Sequence, residues 1–125
     1  MSTFLHTRIR VSDLERSIAW YTQHLGFQVL HRSDRSPAGN HIALLGFPGD
    51  AHTLELTWSA DYQLRVPGDL MHLAVGVSDL TAFCAALEQA GIAIWPDGWR
   101  QEFAAGHKMA FIDDPDGYEV ELLER

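Results

Sequence analysis

Two histidines and two glutamates recur in register along this chain. His6-Thr-Arg-Ile-Arg-Val-Ser-Asp-Leu14 and His72-Leu-Ala-Val-Gly-Val-Ser-Asp-Leu80 share one frame: a histidine, four residues, then Val-Ser-Asp-Leu, at an offset of 66 residues. At the same offset Leu54-Glu55-Leu56 is answered by Val120-Glu121-Leu122. Each half therefore opens on a histidine and presents, 49 residues later, a glutamate between aliphatics. Neutral imidazoles and carboxylates together suit a borderline divalent cation, with positions left for water or a chelating substrate. A cation so placed is a Lewis acid. Taken singly, a strand glutamate is usually solvated and a histidine near a terminus usually idle. An internal repeat that keeps both types at one offset favours a metal site instead.

The elements that must hold these groups follow from periodicity. Over residues 4–11, Leu5, Ile9 and Val11 alternate with His6, Arg8 and Arg10, which predicts a strand with one apolar and one polar face. Ser12 fits a helix N-cap, with Glu15 completing a capping box. Leu14, Ile18, Tyr21 and Leu25 recur at helical spacing, and Gly26 stops the helix. Strands are expected at 27–31, 41–47 and 53–58, with a loop over 33–40 and a turn at Pro48-Gly49-Asp50. Residues 60–70, with Pro67-Gly68-Asp69, read as a linker.

The second half repeats the order. A strand over 72–77 leads to a helix carried by Leu80, Phe83 and Leu87 that stops at Gly91. A short strand at 92–95 and a loop over 96–106 follow. A hairpin of 108–112 and 118–123 then closes around Asp113-Asp114-Pro115-Asp116-Gly117. The expected architecture is α+β: one domain of two tandem βαβββ modules, at about 4–59 and 71–124. Because side chains alternate along a strand, Leu54, Leu56, Val120 and Leu122 face the helices. Glu55 and Glu121 then face the other way, alongside Thr53, Thr57, Glu119 and Leu123, on the same side as His6 and His72.

Composition narrows the partners. With 125 residues, 46% hydrophobic and 21% charged, the chain is large enough to bury a core without staples. A net charge of −8 argues against nucleic acid, whose phosphates call for clustered Lys and Arg. Arg8, Arg10 and Arg100 remain candidates for a local anion pocket. No apolar run reaches the ~20 residues of a membrane span. The N-terminus lacks the features of a signal peptide. A lone cysteine, Cys84, excludes an internal disulfide and fits a reducing cytoplasm.

In His6 to Phe27, Leu54-Glu-Leu-Thr57 and Ala110-Phe-Ile-Asp-Asp-Pro-Asp-Gly-Tyr-Glu-Val-Glu-Leu122, the chain resembles the short bacterial glyoxalase I (lactoylglutathione lyase) group of the vicinal oxygen chelate superfamily. The similarity covers nearly the whole chain. It implies a curved-sheet fold with outer helices, a homodimer with modules paired across subunits, and metal ligands His6, Glu55, His72 and Glu121. A histidine at the first ligand position and short loops look like the nickel- or cobalt-preferring class, with zinc or manganese as alternatives. The implied reaction is isomerisation of the methylglyoxal–glutathione hemithioacetal to S-lactoylglutathione. Glu121 matches the catalytic base, Glu55 a partner in proton return, and Arg10 the anchor for a glutathione carboxylate.

The departures from that family fall where the thiol binds. Trp58 is followed by Ser59 where the family commonly has Asn, Met71 precedes His72 in place of Gly, and Trp99 to His107 replaces a Lys-Gly segment. Ser59 and Arg100 then stand as candidate substrate contacts. The alternatives are another metal-dependent superfamily enzyme (an epimerase, dioxygenase or thiol transferase) or a metal-free drug-binding protein. The latter would use an aromatic groove, for which Trp20, Trp58, Trp95 and Trp99 are available. Metal analysis of purified protein separates these classes.

Overall fold

Each Val-Ser-Asp-Leu frame marks a hand-over from strand to helix, and aspartate makes it. The computed structural model describes residues 1–34, 37–68 and 71–125. The expected loop over 33–40 and linker over 60–70 therefore lie partly outside the described residues. β1 (His6–Arg10) leads into α1 (Leu14–Leu25), whose N-cap is Asp13, with its carboxylate accepting from the Arg16 N–H. The expected Ser12 cap and Glu15 capping box do not form. Asp13 has the extended backbone of an N-cap (φ −146°, ψ 104°), so the helix begins one residue later. The Ser12 hydroxyl accepts from the Arg16 guanidinium at 2.8 Å, and Glu15 pairs with Arg32. Gly26, left-handed at φ 81°, closes α1 as the sequence indicates.

β2 (Gln28–Ser33), β3 (His41–Gly46) and β4 (Thr53–Trp58) complete a sheet of order β1-β4-β3-β2. β1 runs parallel to β4, and the β2-β3 and β3-β4 pairs are antiparallel. Ile9, Val11, Ala43, Leu45, Leu54 and Leu56 are buried, as are Ile18, Tyr21 and Leu25 of α1, which packs on this side of the sheet. His6, Arg8 and Arg10 project from the other side, where parity puts Glu55 and Thr57. Both faces of β4 are buried, Glu55 and Thr57 included.

The chain divides into two compact units, Met1–Arg65 and Val66–Arg125. In the second, β5 (Leu73–Val77) leads to α2 (Leu80–Gln89), N-capped by Asp79, whose carboxylate accepts from the Ala82 N–H. β6 (Met109–Asp113) and β7 (Glu119–Glu124) give a sheet of order β5-β7-β6. The Asp114 carboxylate braces the intervening turn by accepting from the Asp116 and Tyr118 N–H groups, both at 2.9 Å. Lys108 and the Leu80 N–H both hold the Glu124 carboxylate, tying the last strand to the start of α2 and keeping its pKa below the usual range.

Two expectations need correction here. The strand at 92–95 reduces to a single bridge between Trp95 and Phe111, because Gly91 turns left-handed and the Ile92 N–H is taken by the Leu87 carbonyl at the end of α2. The loop over 96–106 contains a short helix, α3 (Trp99–Ala104), which buries Trp99 and Phe103 one turn apart. Cys84 takes the inward place on α2 between Leu80 and Leu87. Burial pushes its thiol up to about 11, with Glu88 adding to the rise. Set against an ordinary value of 9.0, this leaves roughly 100-fold less thiolate at pH 8, and the thiolate is the reactive form. A chromogenic disulfide should therefore react at least that much more slowly with folded than with denatured protein. Equal rates would show that Cys84 is not held in the core.

Candidate metal centre

Strand register brings each histidine to its glutamate. On β1 and β4, His6 pairs with Thr53, Arg8 with Glu55 and Arg10 with Thr57. The His6 Nε2 atom lies 3.7 Å from Glu55 Oε1. The other carboxylate oxygen, Oε2, accepts from Arg8 Nε and from the Thr57 hydroxyl, the latter at 3.0 Å. In the second unit Ala74 is the register partner of Glu121. His72 Nε2 lies 3.3 Å from Glu121 Oε1, with the Phe111 ring edge-on to the imidazole. Among the described residues, no group of three or more His, Cys, Asp or Glu is gathered closely enough to hold a metal ion. Each unit brings one histidine and one glutamate together.

The remaining candidates separate into two places. Arg10 and Ser59 are brought together: Arg10 Nη1 donates to the Ser59 hydroxyl at 2.7 Å and to Asn40 Oδ1 at 3.4 Å. The Arg10 guanidinium also lies 4.2 Å from the centre of the Tyr62 ring. Planar donors on an aromatic platform suit recognition of a carboxylate. Arg100 is placed elsewhere. Its guanidinium pairs with Glu88 of α2 at 3.1 Å and stacks 4.1 Å over Trp99. The Glu88 carboxyl is held below its ordinary range by Arg100 first and then by the Trp99 indole.

A cleft of about 600 Å³ opens beside His72, lined in part by Trp95, Phe111, Asp113 and Glu119. Its volume is in the range of small-ligand sites. The sequence alone does not tie Arg8 to Glu55, nor does it bring Asn40 or Tyr62 to Arg10. The Arg8 contact is findable, because alternation already puts Arg8 between His6 and Arg10 on one face. Tyr62 follows β4 in a stretch without periodicity, where nothing in the sequence marks its direction.

The family model described as Glyoxalase/Bleomycin resistance protein/Dioxygenase superfamily matches residues 3–122. The chain belongs to this superfamily. A probable lactoylglutathione lyase of Vibrio cholerae is 34% identical, the match covering 96% of this chain and 88% of the relative. The lactoylglutathione lyase of Haemophilus influenzae is 33% identical, over 96% and 90%. Among solved structures, the trypanothione-dependent glyoxalase I of Leishmania major superposes with a TM-score of 0.82 at 33% identity, covering 99% of this chain and 87% of that one. The α+β fold read from the repeat is thus the superfamily's, and the chain is a glyoxalase I-like enzyme. No helix among the described residues is long and apolar enough to cross a membrane.

Proposed function

We propose that this superfamily member catalyses metal-dependent isomerisation of the methylglyoxal–glutathione hemithioacetal to S-lactoylglutathione. One observation carries the reading: each repeat aims a histidine at a glutamate from the face of its sheet opposite the helix, at 3.7 Å and 3.3 Å. The lactoylglutathione lyases among its relatives support the reaction.

His6, Glu55, His72 and Glu121 would hold the metal. Two carboxylates offset the charge of a divalent ion, and two imidazoles suit nickel or cobalt, with zinc and manganese as alternatives. When bound, the ion supplies Lewis acidity that eases loss of a carbon-bound proton next to a carbonyl. By the family resemblance, a homodimer is proposed to complete the set, His6 and Glu55 from one chain and His72 and Glu121 from the other.

The proton steps belong to the carboxylates. Glu121 lies across from Ala74, with no cation at that register position, and it removes the proton from the hydroxyl-bearing carbon. That proton is returned to the neighbouring carbon while the hydroxyl proton passes from one oxygen to the other, so one C–H and one O–H bond break, one of each forms, and no redox partner is required. Glu55, whose Oε2 also accepts from the Thr57 hydroxyl, is the secondary participant. Arg10 and Ser59 would anchor a carboxylate of the thiol.

Stripping metal with a chelator and adding back Ni²⁺, Co²⁺, Zn²⁺ or Mn²⁺ tests the reading, with thioester absorbance as the signal. The stripped protein should be folded and inactive, with greater recovery in Ni²⁺ or Co²⁺ than in Zn²⁺. Full activity in stripped protein would overturn metal dependence. Turnover with another thiol but not with glutathione would keep the chemistry and change the substrate.

A further inference from the structure

The two half-sites differ at one position of the repeat. Arg8 and Ala74 occupy equivalent places, each the register partner of its glutamate. The consequence for the two carboxylates is unequal. Glu55 has one oxygen committed to Arg8 and Thr57 and the other turned towards His6. Glu121 has His72 near one oxygen and a methyl group beside it on β5. Arg8 reaches Glu55 from the solvent side: its side chain is 43% exposed, whereas that of Glu55 is 8% exposed. The guanidinium can therefore swing outward while the carboxylate stays fixed by Thr57.

We propose that Arg8 is an internal counter-cation for Glu55, a competitor that a divalent cation must displace to take that carboxylate. The inference rests on the reading of Glu55 as a metal ligand. Its physical basis is that a guanidinium on Oε2 neutralises the charge that would attract the ion, and two cations sharing one carboxylate repel. Without metal, Arg8 has the opposite value, since it places a permanent cation against a buried carboxylate. Arg8 thus stabilises the metal-free protein and weakens metal binding. A bridge that served only to hold β1 to β4 would not produce effects of opposite sign.

The test uses metal-stripped protein, Ni²⁺ affinity by competition with a chromophoric chelator, and thermal melting of the stripped form. Arg8→Met should bind Ni²⁺ more tightly, by about 10–100-fold, the span typical for groups around a metal's ligands. The same variant should melt several degrees lower without metal. Arg8→Lys, which keeps the charge without the planar fork, should fall between and guards against a folding failure in Arg8→Met. In a Glu55→Gln background, Arg8→Met should leave Ni²⁺ affinity unchanged, because the interaction it relieves is gone. Unchanged or weaker Ni²⁺ binding in Arg8→Met, with wild type binding normally, overturns this inference and leaves the metal reading standing. No Ni²⁺ binding by any of the proteins overturns the metal reading, and this inference with it.

Discussion

Glu121→Gln is expected to lower kcat by about 10²–10⁴-fold, the loss typical of a removed general base, while metal content survives. Gln keeps the length and a donor oxygen but cannot take up a proton at neutral pH. The environment supports the choice of Glu121. Its register neighbour is Ala74, whereas Glu55 shares an oxygen with Arg8 and Thr57. Glu55→Gln should be milder, because the metal and the main base both remain. Arg10→Ala is the control. Loss of an anchor for a substrate carboxylate should raise KM and leave kcat near wild type. Steady-state rates at matched metal occupancy decide the assignment: near-normal turnover in Glu121→Gln would exclude it as the base.

Much of this site is legible in the amino-acid sequence because it is written there twice. A shared offset for His6 and His72 and for Glu55 and Glu121 picks out the four groups, and strand alternation puts them on the face away from the helices. Register realises this through the β1-β4 and β5-β7 pairings. What the repeat cannot reveal is where its halves differ. Arg8 and Ala74 read as ordinary strand positions until their partners across the ladder are known. The shift of the α1 cap from Ser12 to Asp13 has a similar origin. Both residues are good N-caps, and the choice depends on which backbone is extended, a property of the tight exit from β1 and not of composition.

Residues 92–106 are the least legible stretch, and the reason is length. A six-residue helix offers only two apolar positions one turn apart, too few for helical periodicity to separate from loop. Arg100 shares the same ambiguity. On sequence alone it is a cation near a suspected thiol pocket. In the fold it stacks on its neighbour Trp99 and meets Glu88, a partner that only the packing of α3 near α2 supplies.

Trp99→Ala should therefore produce the largest loss of stability among these variants. Trp99 is 2% exposed, lies 5.2 Å from the Phe103 ring by centroids, and donates its indole N–H to Glu88 at 3.2 Å. Truncating a buried Trp typically costs about 3–5 kcal/mol, through lost transfer energy and the cavity left behind. A domain of this size has a total stability of only about 5–15 kcal/mol. The melting temperature should accordingly fall by more than about 10 °C. Trp99→Phe, which keeps most of the volume and loses the donor, should lose clearly less. Arg100→Ala removes an ion pair whose members are each about half exposed, 59% and 49%, and such pairs contribute about 0–1 kcal/mol. That variant should melt close to wild type, and its KM separates the two roles open to Arg100. An unchanged KM assigns the guanidinium to bracing Trp99, while a severalfold rise assigns it to the substrate. A Trp99→Ala protein with wild-type melting would mean that α3 is peripheral to the second unit's core, contrary to the burial of Trp99 and Phe103 together.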